Sequence, residues 1–249
     1  MKILFIGRKK YAADMLEWTV QQGNDVVAVV ADVHNPHSEL AERSKALSIP
    51  LISINRAEEM VAKEKDYIDL VVSYLFWSRI KEPLISSPRF GCINFHPAIL
   101  PDWKGLAGYN IAILNKLTEW GATAHVVDDN IDTGPIIKVK RFNFDYQVET
   151  AYSLEKKTQV IQSELYKEVL TKINEQKGVH GPFLSNKGGT YVSRTEMLEM
   201  MRIRPGDDVS LKTRAFWFPP YHGAYTEISG KKYTLVDDAI LQQLGDIID

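Results

Sequence analysis

The chain has 249 residues, of which 45% are hydrophobic and 25% charged, a composition typical of a folded protein with one large domain or one domain and a smaller second. Lys and Arg total 30 against 32 Asp and Glu, so the net charge is −2, and no overall field favours nucleic acid or an anionic membrane. The one cysteine, Cys92, excludes an intrachain disulfide framework and a multi-cysteine zinc site. No apolar stretch is long enough for a membrane span or a signal peptide, and we expect a cytoplasmic protein.

The first half of the chain alternates short apolar runs with helical patterns. Strands are predicted over 3–6, 26–31, 50–54, 70–73 and 92–95. Helices are predicted over 12–22, 39–47, 57–65 and 111–114. Continuous apolar runs fit parallel strands that are buried on both faces. The pattern therefore predicts an α/β fold with an open, mostly parallel, Rossmann-like sheet.

The pattern changes after Gly121. Two β-rich segments, 122–127 and 136–142, precede a long amphipathic helix over 149–173. From Gly181 the chain is rich in Gly, Pro and aromatics, with short strands predicted at 191–193 and 225–236, the latter turning at Ser229-Gly230. We predict a catalytic domain over 1–180 and a small β-rich region over 181–249. Because so small a region is marginal alone, we expect it to contribute to nucleotide binding or to a homodimer.

The first chemical signal is Asn94-Phe95-His96-Pro97 at the end of a predicted central strand. Ligands of parallel sheets bind at the carboxyl ends of the strands. Asn94 and His96 are two residues apart, so they point to the same face of the strand. An imidazole moves protons near neutral pH and a carboxamide donates to a developing oxyanion. Alone, however, such a pair more often caps a loop.

Two later segments add candidates. A loop over 100–110 with two glycines precedes a helix and brings backbone close to a ligand, but it lacks the spacing of a nucleotide phosphate loop. Asp132 lies in a turn between two β segments, where it either accepts local N–H bonds or faces His96 as an anionic partner. His125 alternates with apolar residues on a strand, and we interpret it as a buried structural histidine.

In combination these segments resemble a known family. N-F-H-P (94–97), L-P-D-W-K-G (100–105), G-A-T-A-H-V-V-D (121–128) and I-D-T-G-P-I-I (131–137) resemble the 10-formyltetrahydrofolate-dependent formyltransferases, a likeness that spans roughly residues 1–175. The resemblance implies 10-formyltetrahydrofolate as formyl donor, no metal, and Asn94, His96 and Asp132 as catalytic residues. It also implies a folate pocket. The expected cofactor-binding residues are Phe76, Trp77, Ser78, Arg79, Ile80, Val127, Asp128, Asn130 and Ile131.

Within the family, G-Y-N (108–110) and K-T-R-A-F-W-F-P-P-Y-H-G (212–223) resemble the sugar-nucleotide N-formyltransferases of O-antigen and lipopolysaccharide synthesis. That likeness implies a dTDP- or GDP-linked amino dideoxy sugar as acceptor, with dTDP-4-amino-4,6-dideoxyglucose preferred. Trp217 and Tyr221 offer flat faces for a nucleobase and Arg214 suits phosphate, although aromatics beside Pro-Pro equally often form a packed core. The expected substrate-binding residues are Lys104, Gly105, Tyr109, Asn110, Asn186, Lys187, Arg214, Trp217, Tyr221 and His222.

The expected reaction is direct attack of the neutral amine on the formyl carbon. Asn94 and His96 would stabilise the oxyanion, and Asp132 would orient or charge His96 and help remove the proton. Glycinamide ribonucleotide and GDP-perosamine stay open as acceptors, as does a non-catalytic folate- or nucleotide-binding module. Methionyl-tRNA is disfavoured because tRNA binding needs clustered Lys and Arg. A nucleotide-dependent oxidoreductase is disfavoured because residues 6–10 lack the G-x-G-x-x-G turn.

Overall fold

The computed structural model describes residues 1–32, 35–63 and 67–242. Within these ranges the strands are β1 (Lys2–Gly7), β2 (Asp25–Val30), β3 (Leu70–Tyr74), β4 (Cys92–His96), β5 (Trp103–Gly105), β6 (Glu119–Val126), β7 (Ile136–Asn143), β8 (Thr190–Val192), β9 (Tyr225–Ile228) and β10 (Lys231–Thr234). The helices are α1 (Lys9–Gln21), α2 (Glu39–Ala46), α3 (Ile54–Lys63), α4 (Gly108–Leu114), α5 (Ala151–Gln176), α6 (Arg194–Met200) and α7 (Val209–Phe216). No helix in the described ranges is both long and apolar enough to cross a membrane.

A six-stranded sheet forms the centre of the molecule, in the order β2-β1-β3-β4-β6-β7. The first four strands run parallel, and β6 and β7 are each antiparallel to their neighbours. The predicted α/β fold with a mostly parallel sheet is therefore confirmed. Because β1, β3 and β4 are parallel neighbours, their carboxyl ends lie side by side at one edge of the sheet, where α/β proteins bind ligands.

Apolar residues on both faces of the sheet explain why the parallel strands read as continuous hydrophobic runs. On β1, Ile3 and Phe5 pack with α1, α2 and α5, whereas Leu4 and Ile6 pack with α3 on the opposite face. All four side chains are fully buried. Successive strand residues point to opposite faces. A strand covered by helices on both sides therefore needs apolar residues at every position.

The C-terminal segment packs against the rest of the chain through a third apolar cluster. Trp120 and Leu154 lie in this cluster with Leu211 and Phe216 of α7, and β8 pairs in parallel with β5. The two segments therefore share a core, and their division at residue 180 stays a prediction. The predicted hairpin is present as β9 and β10, which pair antiparallel.

The structure differs from the sequence prediction at several places, one of which is β5, inside the loop predicted over 100–110. The strand predicted over 50–54 is wrong: only Leu51 forms a bridge, to Val29, and α3 already begins at Ile54. Ser53 explains the early start, because its side chain accepts the Arg56 N–H at the beginning of the helix. The helix predicted over 57–65 corresponds to α3, and residue 65 lies outside the described residues. Two C-terminal helices, α6 and α7, were not predicted. Their starts are marked by capping residues, Ser193 and Asp208.

Candidate active site

Asn94 and His96 lie at the carboxyl end of β4 and line one cavity. The antiparallel register between β4 and β6 places Asn94 directly opposite His125 and His96 opposite Thr123. Across this pair, Asn94 Nδ2 lies 3.1 Å from His125 Nε2. Thr123 also stabilises the loop that follows His96. Its hydroxyl accepts from the Leu100 N–H and donates to the Ala98 carbonyl. The loop and strand together hold both polar side chains at the ligand edge of the sheet.

Asp132 reaches the same point from the loop between β6 and β7. Its Oδ2 lies 3.4 Å from His96 Nδ1, and its Oδ1 lies 3.4 Å from His125 Nε2. Its backbone has φ of 55°, a left-handed conformation that costs a non-glycine residue about 1 kcal/mol or more. Three contacts hold it there: the Gly105 N–H donates to Oδ2 at 3.0 Å, and Asn186 Nδ2 donates to the carbonyls of Asp132 and Gly134.

The Asp132 carboxyl is ionised despite its burial. Burial alone would raise the pKa of this group, but the neighbouring His96, then His125 and the Gly105 N–H, hold its pKa well below the usual range. Its side chain is only 10% exposed. A negative charge is therefore fixed beside two imidazoles in a poorly hydrated place, where charges interact more strongly than in water.

Hydrogen-bond chemistry places the protons on both histidines. His96 Nε2 lies 2.7 Å from the Trp103 carbonyl oxygen, and His125 Nδ1 lies 2.8 Å from the Val126 carbonyl oxygen. A carbonyl oxygen only accepts, so these two nitrogens carry hydrogen and donate. His96 then turns its other nitrogen, Nδ1, toward the Asp132 carboxylate. A proton delivered to Nδ1 during a reaction would therefore face that carboxylate.

His125 also belongs to this cluster. The sequence analysis interpreted it as a structural histidine and so missed its place in the site. It is almost fully buried, as expected, yet its Nε2 contacts both Asn94 and Asp132. The signal that could have found it is its strand position: it lies at the end of β6, seven residues before Asp132 in the loop that follows.

Neither a reactive thiol nor a metal cluster accompanies these residues in the described ranges. Cys92 lies two residues before Asn94 and is fully buried. Burial raises the pKa of its thiol far above the usual range, so it does not form a nucleophilic thiolate at neutral pH. No group of three or more His, Cys, Asp or Glu side chains among the described residues is arranged to hold a metal ion.

A cavity of about 350 Å³ opens beside the three polar residues; we call it the donor cavity. Phe76, Trp77 and Ile131 give it apolar walls, and Trp77 is 51% exposed there. The loop on its far side is held by Asp128, which accepts from Thr133 Oγ1 at 2.6 Å and from the Asn130 N–H at 3.1 Å. The structure brings all nine expected cofactor-binding residues to this cavity: Phe76, Trp77, Ser78, Arg79, Ile80, Val127, Asp128, Asn130 and Ile131.

The expected substrate-binding residues fall into two separate groups. In the first, Gly105 and Asn186 support the Asp132 loop through hydrogen bonds. Lys104 is buried and donates to the backbone carbonyls of Asn186 and Gly188, the latter at 2.6 Å. Lys187 is exposed on the same turn. This group lies beside Asp132 and the loop that closes the donor cavity.

The second group lies around α7 and is mostly engaged in packing. Asn110 donates to the Ala215 carbonyl at 2.6 Å, and Arg214 donates to Ser210. Trp217 is 9% exposed, so the prediction that its face stacks on a nucleobase is corrected: the ring is covered by the protein. The Tyr109 hydroxyl accepts a hydrogen bond from Gln159 Nε2. Only Tyr221 and His222 are exposed, Tyr221 by 65%.

A basic and aromatic surface lies at the end of β1, and apart from Tyr221 the sequence analysis did not assign its residues to the site. Arg8 lines the donor cavity and donates through Nε to the Leu75 carbonyl at 2.7 Å. Lys9 is ion-paired with the buried Glu155 of α5, and its Nζ lies 5.2 Å from the centre of the Phe218 ring. Phe218 in turn packs 5.9 Å from Tyr152 and 5.9 Å from Tyr221. The available signal was the Arg8-Lys9-Lys10 run directly after a central strand.

Comparisons with known proteins fit this geometry. The sequence model of a protein family described as "Formyl transferase" matches residues 1–170 of this chain. The methionyl-tRNA formyltransferase of Geobacter metallireducens is 27% identical over 98% of this chain and 82% of its own length. Among solved structures, a 4-N formyltransferase from Francisella tularensis superposes with a TM-score of 0.78 at 23% identity, over 94% of this chain and 96% of that one.

A second similar structure is the N-formyltransferase from Helicobacter canadensis in complex with folinic acid and dTDP-3-aminofucose. It superposes with a TM-score of 0.75 at 23% identity, over 93% of this chain and 86% of that one. These likenesses support the fold, and the family pattern spans well over half of the chain, including Asn94, His96 and Asp132. The chain belongs to the formyl transferase family.

Proposed function

We propose that this protein transfers the formyl group of 10-formyltetrahydrofolate to the amino group of a nucleotide-linked amino dideoxy sugar, with dTDP-4-amino-4,6-dideoxyglucose as the preferred acceptor. One observation supports it most: Asn94, His96 and Asp132 line the donor cavity together with Arg8, whose neighbour Lys9 belongs to the surface at the end of β1. The donor cavity has apolar walls, whereas the surface formed by Lys9 and Phe218 is basic and aromatic.

The donor cavity fits a folate. A flat pterin ring needs apolar walls and nearby backbone polar groups, and Phe76, Val127 and Ile131 together with the loop at Asp128 offer both. The bound donor would supply a formyl group on nitrogen, whose carbonyl carbon is open to an amine. The similar Helicobacter canadensis protein was crystallised with folinic acid, a formylated folate. That complex supports the same ligand class for this chain.

Each polar residue then has a task. Asn94 directs one amide hydrogen to His125 and has a second for the oxygen on which negative charge develops; one such donor typically contributes about 3 kcal/mol. His96 stands beside it with Nδ1 toward Asp132, and that nitrogen takes the proton that leaves the amine and passes it to the departing nitrogen of tetrahydrofolate. Asp132 stays charged, so it stabilises the proton while His96 carries it. Binding donor and acceptor together supplies much of the remaining rate.

The acceptor class is inferred from the surface at the end of β1. A nucleoside diphosphate presents a flat base and about two negative charges. Arg8 supplies positive charge, and Lys9, which is paired with Glu155, lies over the face of Phe218. Phe218 and the exposed Tyr221 offer rings on which a base can stack. The Helicobacter canadensis relative was crystallised with a dTDP-linked amino sugar, which supports this class.

Methionyl-tRNA is a second candidate acceptor, because the Geobacter metallireducens methionyl-tRNA formyltransferase aligns with 98% of this chain. The net charge of −2 weighs against it, since tRNA binding depends on clustered positive charge. Glycinamide ribonucleotide and GDP-perosamine are further amines that the same chemistry would accept. A binding module without catalysis is disfavoured because the three polar residues form one cluster, in which Asp132 contacts His96 directly and Asn94 through His125.

We also propose that the protein acts in the cytoplasm as a homodimer that forms through the C-terminal hairpin. Ile228 and Tyr233 on this hairpin are about half exposed. Sedimentation of the purified protein at two concentrations tests the dimer, and a monomer at both would contradict it.

The acceptor is tested by measuring tetrahydrofolate formation from 10-formyltetrahydrofolate with four candidates in turn: the dTDP-amino sugar, GDP-perosamine, glycinamide ribonucleotide and methionyl-tRNA. We expect turnover with the dTDP-linked sugar and none with tRNA. Turnover with methionyl-tRNA alone would overturn the proposed acceptor and leave the formyl transfer in place. A protein that binds folate but turns over none of the four would contradict catalysis on these amines.

A further inference from the structure

One segment that follows α5, residues 184–192, contacts both loops that surround the His96–Asp132 pair; we call it the bracing segment. It lies outside residues 1–170, the part of the chain that matches the family. At its start, Leu184 exchanges two backbone hydrogen bonds with Ile136, which follows the Asp132 loop. At its end, β8 pairs in parallel with β5. The bracing segment therefore joins the loop between β6 and β7 to the loop that contains β5.

Strand β5 contacts both members of the catalytic pair through its backbone. The Trp103 carbonyl accepts from His96 Nε2 at 2.7 Å, and the Gly105 N–H donates to Asp132 Oδ2 at 3.0 Å. Both backbone groups belong to residues that pair with β8. The approach of the two chains is close, since a Cβ on Gly189 would lie 1.7 Å from a backbone carbonyl oxygen of the loop before β5. The position of β5, and with it of these two contacts, therefore depends on the bracing segment.

Asn186 makes the connection to the Asp132 loop. Its side chain is buried, and Nδ2 donates to the Asp132 carbonyl at 3.0 Å and to the Gly134 carbonyl at 2.7 Å. Both amide hydrogens thus hold the backbone on either side of the left-handed Asp132. In the part of the chain that the structure describes, Asn186 Oδ1 has no hydrogen-bond partner. A buried acceptor without a partner costs stability, so the pair of N–H donors is what this position requires.

Lys104 fixes the backbone of the bracing segment at the same point. Its ammonium group is buried and donates to the carbonyls of Asn186 and Gly188. Lys104 is the middle residue of β5, between the two backbone groups that contact His96 and Asp132. Burying an ammonium group is costly unless it is hydrogen-bonded. The chain bears that cost at the one place where Asn186 is tied to β5.

We propose that Asn186 is a positioning residue for formyl transfer: it holds the Asp132 carboxylate against His96 and His125, so that the bracing segment completes the active site. The inference rests on the proposed function. Without the two N–H donors, Asp132 is expected to leave the left-handed conformation, because a non-glycine residue keeps it only where its surroundings enforce it. The carboxylate would then move away from both imidazoles, and its charge would be misplaced although it is still present.

The test uses Asn186→Ala in the full chain, with Ser185→Ala as the matched control. Ser185 is exposed on the same turn, and its hydroxyl accepts from the Lys187 N–H. We expect Asn186→Ala to lower kcat for tetrahydrofolate formation about tenfold or more, while KM for the acceptor and the affinity for 5-formyltetrahydrofolate stay within about threefold of the wild type. Ser185→Ala should leave all three unchanged.

The double variant with Asp132→Asn shows whether Asn186 acts through the Asp132 charge. If it does, the double variant has a kcat within about threefold of that of Asp132→Asn alone, because both changes remove the same contact. If Asn186 acted independently of Asp132, the two losses would multiply.

A second readout does not depend on turnover. The imidazole nitrogen NMR signals of the two histidines should move in Asn186→Ala toward their positions in Asp132→Asn, and should stay at the wild-type positions in Ser185→Ala. Thermal melting of each variant checks folding. If Asn186→Ala does not fold, Lys104→Met releases the Asn186 carbonyl and is expected to move the same signals in the same direction.

Unchanged imidazole signals, or losses of kcat that multiply in the double variant, would overturn the positioning role of Asn186 and leave formyl transfer in place. A wild-type protein that turns over none of the offered amines would overturn the proposed function, and the imidazole signals would still decide whether Asn186 holds Asp132 against the histidines.

Discussion

Replacing Asp132 by Asn tests the electrostatic core of the site. The asparagine keeps an oxygen for the Gly105 N–H but removes the charge that lies 3.4 Å from a nitrogen of His96 and 3.4 Å from one of His125. At this distance and an effective dielectric constant of about 20, two unit charges attract by about 5 kcal/mol. The carboxylate shares its charge between two oxygens, so about half of that, roughly 2–3 kcal/mol, acts on His96.

Each 1.4 kcal/mol or so corresponds to a tenfold rate change, so Asp132→Asn should lower kcat by about 100-fold. The assay is tetrahydrofolate formation at saturating dTDP-amino sugar, with the affinity for 5-formyltetrahydrofolate measured separately to show that the donor still binds. Asp129→Asn is the control, because Asp129 is exposed on the same loop and its charge faces neither histidine. If Asp132→Asn turned over within about threefold of the wild type, the assigned role of the charge would be refuted.

Four further predictions follow from the same contacts. Because the folded-state pKa of Asp132 is lowered, its charge stabilises the fold above the unfolded-state pKa of about 3.9, and urea unfolding should show this contribution disappear as the pH falls below that value toward the lower folded pKa. His125→Ala should reduce kcat by about tenfold or more while the donor still binds, because Asn94 loses the partner that orients it; an unchanged kcat would rule this out. Lys9→Met should raise KM for the nucleotide sugar without weakening folate binding, and an effect on folate alone would contradict the acceptor placement. Gly134→Ala should lower Tm by several degrees, since a Cβ there would lie 1.9 Å from a backbone carbonyl oxygen of β6.

Much of the fold could be predicted because local patterns and tertiary packing agree. The runs at 3–6 and 70–72 are apolar at every position, and only strands covered on both faces need that. The strand predicted at 50–54 failed because Ser53 caps the start of α3, which leaves room for only one bridge, at Leu51. Helix α6 has only 7 residues and no fully buried one, so it is too short for its apolar side to show a helical period.

The site could be predicted only in part, for reasons of distance. Asn94 and His96 share a strand, so their proximity follows from the spacing alone. The approach of Asp132 to both histidines depends on a left-handed residue held by Asn186, which is 54 positions away. Likewise, the burial of Trp217 depends on packing in the third cluster rather than on its neighbours in sequence.

The most direct test of the account is transfer of a labelled formyl group. The purified protein would be incubated with [¹³C-formyl]-10-formyltetrahydrofolate and dTDP-4-amino-4,6-dideoxyglucose, and the nucleotide sugar would then be examined by mass spectrometry and carbon NMR. The account predicts a product heavier by one labelled formyl group, with the carbon signal of an amide on the sugar nitrogen. An unchanged nucleotide sugar, while the label moves instead to methionyl-tRNA or glycinamide ribonucleotide offered in parallel, would contradict it.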